Sequence, residues 1–185
     1  VFRGLVPPVI TPFRADGSLD LDSLDRVVEH LILAGVHALF VLGSSGQVAY
    51  LTDEERDAVV RRVVATVAGR VPVQVGTPDF TARRMAKHAR RAVDLGAESV
   101  VVTAPLYALN DQAEIDRHLR MVSDAVDIPV FAYDVPVRVH AKLGLGLLIN
   151  LGRDGVIAGV KDSSGDDVAF RRLVMANAEA GHPLE

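Results

Sequence analysis

The chain has 185 residues, enough for one domain with a real core, and 49% apolar with 24% charged residues describe a globular rather than a disordered protein. A net charge of −4 argues against a general nucleic-acid or anionic-membrane binder, and the absence of cysteine excludes disulfides, thiolate catalysis and zinc–sulfur sites. The longest apolar runs reach strand length only, the opening stretch VFRGLVPPVITPF carries no signal-peptide apolar region, and the expectation is a soluble, cytoplasmic protein.

Residues 5–10 read as a first strand, which leads into TPFRADGS without a glycine-rich phosphate loop. Leu24, Val27, Val28, Leu31 and Ile32 then repeat at helical spacing, with Gly35 as the stop. A second strand at 38–42 is followed by GSSG (43–46). Thr52 and Glu55 fit a capping box, which opens a helix with Val59, Val60, Val63, Val64 and Val67 on its apolar face. Arg56, Arg61 and Arg62 alternate with acids there and mark a solvated face. The third strand is 71–75, and Thr81 can cap a third helix ending near Gly96. The fourth strand, 99–103, precedes a helix over 112–126 with Ile115, Leu119 and Val122 inward. The fifth, 129–133, precedes a helix near 143–151 that Gly144 and Gly146 weaken. The sixth, 156–160, precedes a helix carrying Phe170, Leu173 and Val174.

Six strand–helix units in series predict a parallel α/β fold. On length alone a doubly wound open sheet fits, because a (β/α)8 barrel takes about 250 residues and eight strands. The polar residues reverse that choice. Thr11, Ser44, Ser45, Tyr107, Tyr133 and Lys161 follow different strands, and a barrel gathers the carboxyl ends of all its strands at one face.

Each candidate has two readings. Lys161 is either an amine made nucleophilic by an apolar surround, able to form a Schiff base with a ketone, or a partner of Asp162 or Asp166. Tyr133 and Tyr107 either relay protons or are aromatics with wet hydroxyls. Gly43, Ser44, Ser45 and Gly46 form either a small cradle for a carboxylate or an ordinary turn. Arg138 either grips a carboxylate bidentately or lies on the surface. The histidines lack metal-ligand spacing: His30, His88 and His118 fall within helices, His37 beside a strand and His182 in the tail, while His140 is near enough to Arg138 to line a pocket. No metal and no cofactor are expected.

TPF (11–13), GSSGQ (43–47), LTDEER (51–56), the Pro105/Tyr107 pair, YDVPVR (133–138) and GVKDSSGD (159–166) run in one order over essentially the whole chain. In these stretches it resembles the dihydrodipicolinate synthase / N-acetylneuraminate lyase family of class I, pyruvate-dependent aldolases. The resemblance implies a (β/α)8 TIM barrel of which the first six βα units are present, a single catalytic domain over 1–185 truncated before strands 7 and 8. It implies that Lys161 carries the pyruvate Schiff base and that Tyr133 moves protons beside it. Gly43, Ser44 and Ser45 would bind the keto-acid carboxylate, with Ser45 and Tyr107 in a hydroxyl relay that Tyr107 completes across a subunit interface. Arg138 would hold the carboxylate of the incoming aldehyde. A homo-oligomer, dimer or tetramer, is expected.

Gln47, Asp134, Val137 and Asp162-Ser163-Ser164 depart from the synthase pattern, in which glutamate, asparagine, serine and Glu-Ala-Thr stand at these places. The leading expectation is a synthase or lyase joining pyruvate to an aldehyde such as aspartate semialdehyde. The KDSSGD segment looks more like aldolases and dehydratases of 2-keto-3-deoxy sugar acids, and an N-acetylneuraminate lyase-like activity belongs with that alternative. A third reading is a catalytically silent keto-acid-binding protein of the same fold.

Overall fold

Two adjacent prolines decide how the sheet begins. In the computed structural model, which describes residues 4–185, the segment before the first helix runs beside residues 37–40. His37 N–H donates to Leu5 O (2.9 Å), Phe40 N–H to Pro7 O (3.0 Å) and Val9 N–H to Phe40 O (2.8 Å). Pro7 and Pro8 have no N–H to give, so the strand predicted over 5–10 shrinks to a single parallel bridge, Pro8 with Phe40. Residues 1–3, which begin the VFRGLVPPVITPF stretch, lie outside the described residues.

Five strands follow instead of the six expected: β1 (Leu39–Val41), β2 (Val73–Gly76), β3 (Ser99–Thr103), β4 (Val130–Asp134) and β5 (Gly159–Asp162). β1 pairs with β2, and β4 with β5, both in parallel. Among the described residues seven α-helices precede, separate or follow the strands, two of them between β4 and β5: α1 (Leu21–Leu33), α2 (Asp53–Val67), α3 (Ala82–Asp94), α4 (Gln112–Ser123), α5 (Pro136–Val139), α6 (Leu145–Arg153) and α7 (Asp167–Glu179). The chain forms two compact units. One runs up to Gly76 and includes Arg90–Val100; the other comprises Thr77–Ala89 with Val101–Glu185.

In the first unit, β1 and β2 pair from Leu39 with Val73 to Val41 with Val75, and every residue of both is buried. Continuous apolar runs are what a parallel sheet covered on both faces requires. Asp20 caps α1 through Ser23 N–H (3.0 Å), and Leu24 and Val28 are its buried stripe. Thr52 and Glu55 form the capping box of α2, whose Val59, Val60, Val63 and Val67 are buried and Val64 half-buried. Arg56 and Arg62 are less solvated than charge alternation suggests. Arg56 donates to Val48 O (3.1 Å), and Arg62 forks onto Asp25 of α1.

In the second unit, β4 and β5 pair from Phe131 with Gly159 to Asp134 with Asp162. Asp111 and Glu114 form a capping box for α4, where Ile115, Leu119 and Val122 are buried as expected. The one-turn α5 has no counterpart in the sequence reading: Pro136 opens it at the first helical position and four residues are too few to show a period. The weak helix α6 forms because Gly144 sits at its N-cap rather than inside it. Gly152 allows close packing, since a Cβ there would lie 2.6 Å from the Leu184 side chain and displace it. On α7 Leu173 is buried, while Phe170 and Val174 are exposed. The end of the chain lies against β5: Glu185 N–H donates to Ala158 O (2.8 Å) and Glu185 O accepts from Val160 N–H (3.2 Å), the bonding pattern of a parallel bridge. Among the described residues no helix is long and apolar enough to cross a membrane.

Candidate active site

The register of β4 and β5 builds the site. Tyr133 stands opposite Lys161, and Asp134 opposite Asp162. Side chains alternate along a strand, so the first pair projects from one face of the sheet and the second from the other. Lys161 is the third residue of β5, not the residue after it, because positions 156–158 still belong to the turn that closes α6: Val156 N–H donates to Leu151 O (2.9 Å).

The Lys161 Nζ lies 3.7 Å from the centroid of the Tyr133 ring. An ammonium over an aromatic face gains about 0.5–2 kcal/mol, more as the site dries. Tyr133 is buried and Lys161 half-buried. Lys161 also donates to Ser163 Oγ (2.8 Å). The two acids that offered a plain salt-bridge reading are engaged elsewhere. Asp162 turns to Lys142 and to Ser164 N–H (2.7 Å), and Asp166 caps α7 through Ala169 N–H (2.9 Å).

On the other face of the same strand ends is a cluster that no local motif announced. Lys142 Nζ donates to Asp134 Oδ2, to Asp162 Oδ2 (3.3 Å) and to Ser164 Oγ (3.2 Å). Asp134 is fully buried and its Oδ1 also accepts from Leu143 N–H (3.2 Å). Burial pushes the Asp134 carboxyl above its ordinary value, against the pull of Lys142 and Leu143. Burial pushes Asp162 the same way, but hydrogen bonds from Ser164 and then the Lys142 charge outweigh it and hold Asp162 below the ordinary value. For Lys142 burial lowers the pKa, and Asp134 and Asp162 reverse this, so the side chain remains an ammonium. The signal available in the sequence is the spacing: an acid follows each of Tyr133 and Lys161 by one position.

The other candidates in this unit stand at loops after strands. Tyr107 is 89% exposed and its φ is +76°. Ala108 N–H donates to Leu106 O (3.0 Å), so Tyr107 is the centre of a γ-turn of the rarer, strained hand. Arg138 and His140 are exposed, Arg138 on α5 and His140 directly after it. Sequence reasoning also missed Asp79, buried just past β2. It accepts from Arg84 Nε (2.5 Å) and Phe80 N–H (2.6 Å), and His88 Nε2 lies 3.0 Å away. Burial raises the Asp79 pKa, but these partners bring it below the ordinary value. His118 packs under β3 with Nε2 2.9 Å from Thr103 O, and burial lowers its pKa.

In the first unit, GSSG makes a tight turn directly after β1. Gly46 N–H donates to Gly43 O (3.0 Å) and Gln47 N–H to Ser44 O (3.1 Å). Thr11, buried, fastens the turn by donating from Oγ1 to Gly46 O (2.7 Å). At position 43 a Cβ would lie 2.5 Å from the Phe40 ring, so any larger residue there makes that ring shift. Ser44 and Ser45 are exposed. The amides of Gly46, Gln47 and, at 3.5 Å, Val48 are thus spent on the turn itself. Among the described residues, no group of three or more His, Cys, Asp or Glu side chains is placed to hold a metal ion.

A family model described as the dihydrodipicolinate synthetase family matches residues 1–180. An uncharacterized DapA-like lyase of Halobacterium salinarum is 43% identical over 177 residues, covering 96% of this chain and 58% of that protein. A 4-hydroxy-tetrahydrodipicolinate synthase of Phenylobacterium zucineum is 35% identical over 175 residues, covering 94% of this chain and 59% of that protein. YagE of Escherichia coli K12, named a putative 2-dehydro-3-deoxy-D-gluconate aldolase, is 37% identical over 185 residues, covering 99% of this chain and 61% of that protein. A crystal structure of YagE in complex with pyruvate matches with a TM-score of 0.94 at 34% identity, over 98% of this chain and 62% of that one. The chain thus spans about three fifths of the length of the curated relatives it matches.

Proposed function

From the premise that this chain belongs to the dihydrodipicolinate synthetase family, we propose that the whole protein is a Schiff-base-forming carbon–carbon lyase or synthase built on a (β/α)8 barrel. The observation that carries this reading is the stacking of Lys161 on Tyr133 across the β4–β5 register, 3.7 Å from amine nitrogen to ring centroid.

In the proposed reaction Lys161 first gives up its ammonium proton, and the free amine attacks the keto carbon of pyruvate. The carbinolamine loses water, and the resulting iminium withdraws electrons from the neighbouring methyl group. Loss of a methyl proton gives an enamine, whose carbon attacks an aldehyde carbonyl. The new alkoxide takes up a proton, and water then hydrolyses the iminium to release product and free Lys161. Tyr133 is the group assigned to moving protons beside the nitrogen. No cofactor enters, because the iminium itself is the electron sink. Ser44, Ser45 and Gly43 are assigned to the keto-acid carboxylate and Arg138 to a carboxylate on the second substrate; their exposure after strands is compatible with such roles. The 89% exposure and strained backbone of Tyr107 favour a partner outside this chain, which fits a homo-oligomer with Tyr107 at an interface.

Two second substrates have support. Arg138 favours an aldehyde bearing a carboxylate, such as aspartate semialdehyde. The KDSSGD segment (161–166), together with the name of the 37%-identical relative, favours a 2-keto-3-deoxy sugar acid. Assay of the intact protein with aspartate semialdehyde plus pyruvate, and separately with 2-keto-3-deoxygluconate, distinguishes them. Arg138→Ala should damage the first activity far more than the second. Failure to turn over either substrate, with pyruvate still bound, would leave the keto-acid-binding reading in their place.

A further inference from the structure

Lys161 and Tyr133 are each followed by an aspartate, and the two aspartates face each other across the same strand pair. Two carboxylates side by side repel, and at the ends of two strands that repulsion acts directly on the register holding the reactive pair. Lys142 answers it. Its single ammonium touches both carboxylates and Ser164, while Leu143 N–H, the next residue, holds the other oxygen of Asp134. The backbone that presents Lys142 is itself anchored: Gln112 of α4 donates to Lys142 O (2.9 Å) and accepts from Gly144 N–H (2.7 Å). The strand ends meet at one more point, where Ser163 N–H donates to Asp134 O (2.8 Å).

We infer that Lys142 is a positioning residue for the proposed chemistry: its ammonium clasps Asp134 to Asp162 on one face of the sheet and so holds Lys161 against Tyr133 on the other. This rests on the Schiff-base reading above. Lys142 acts through the residue that follows each of Lys161 and Tyr133. Charge is what the clasp needs. Lys142 also borders a pocket of about 150 Å³ whose lining joins Leu143, Leu145, Leu148 and Leu173 to Asp162 and Arg172, so an uncharged chain of similar length finds apolar neighbours there beside the charged ones. Lys142→Met therefore removes the ammonium while keeping most of the volume.

The experiment compares the intact wild-type protein with K142M, K142R and D134N/K142M. Amide hydrogen exchange is followed over 133–134 and 161–163, and the rate of borohydride trapping with pyruvate is measured across pyruvate concentrations. K142M should exchange faster at these amides. Its trapping rate at saturating pyruvate should fall by on the order of 10²-fold, the scale of a misplacement near 1 Å, with a smaller change in the half-saturating concentration. K142R should recover most of the loss, and D134N/K142M part of it by removing one of the repelling charges. If K142M does not fold, K142R and the double variant carry the comparison. Trapping of K142M at the wild-type rate, unchanged exchange at the strand ends, or K142R as slow as K142M would overturn the positioning role while leaving the Schiff-base reading intact. A wild-type protein that pyruvate does not label would overturn both.

Discussion

Two networks in this chain join aspartates to a cation and have different consequences. On the outer side of the first unit, Arg62 of α2 forks onto Asp25 of α1, and Thr66 Oγ1 donates to the same carboxylate (2.5 Å). Arg70 of the same unit pairs with Glu29. These side chains are 30–43% exposed. At the ends of β4 and β5, Lys142 meets Asp134, which is 0% exposed, and Asp162, which is 10% exposed. Water screens the first network and can replace either partner. Asp134 has no such recourse, so the same type of contact becomes a condition for the strand ends to lie together. The depth of the carboxylate, not the number of contacts, separates a helix–helix accessory from part of the site's frame.

The largest expected effect comes from breaking the buried network. Lys142→Met leaves Asp134 buried without its cation and should destabilise the protein by about 2–4 kcal/mol, discounted for the partial exposure of Lys142; urea unfolding checks it. Adding Asp134→Asn should return a large part of that loss, because the orphaned charge goes with it. Next in size is the acid limb of the stability curve, where the two networks should pull in opposite directions. Hydrogen bonding from Arg62, set against burial, holds Asp25 below its ordinary value of 3.8. Its contribution is complete above that value and is lost as pH falls through the folded pKa. Burial holds Asp134 above 3.8, so its term has the opposite sign: stability is gained as pH falls through the folded value. Asp25→Asn should therefore flatten the acid-side loss of stability and Asp134→Asn should steepen it, both read from denaturation midpoints across pH.

A smaller effect belongs to His118. Burial lowers its pKa from 6.5, so the folded protein binds its proton less readily than the unfolded chain. Stability should decline as pH falls below 6.5 towards the folded value, and His118→Gln should flatten that window. Smallest is Arg62→Met. The variant should show only a slight fall in denaturation midpoint, and high salt should shrink the difference from wild type. A large, salt-insensitive loss at Arg62 would break the contrast between the networks.

What the sequence made legible follows from which interactions are local. The Thr52–Glu55 capping box and the Leu24–Val28 stripe involve residues a turn apart, and the structure contains both. The buried strands were visible because continuous valine-rich runs suit a parallel sheet. The first strand misled because apolar content was weighed above the missing N–H groups of Pro7 and Pro8. Lys161 and Tyr133 were singled out by their places at strand ends and by family resemblance. The β4–β5 register then set them opposite each other, which residues 28 positions apart cannot disclose alone. The Lys142 clasp was missed for the same reason: it depends on register, on Gln112 from another helix, and on an acid in each of two strands. Asp79, Arg84 and His88 share one stretch of nine-residue reach, but only the burial of Asp79 distinguishes them from a solvated charge run.

Two lysines serve the ends of β4 and β5, Lys161 proposed to do the chemistry and Lys142 to hold the frame. Incubation of the intact protein with pyruvate, reduction with borohydride and peptide mass analysis tests this division directly. One reduced pyruvate is expected on the peptide containing Lys161, with Lys142 unmodified. An unmodified Lys161 in folded protein, or an adduct on Lys142 instead, would contradict that division.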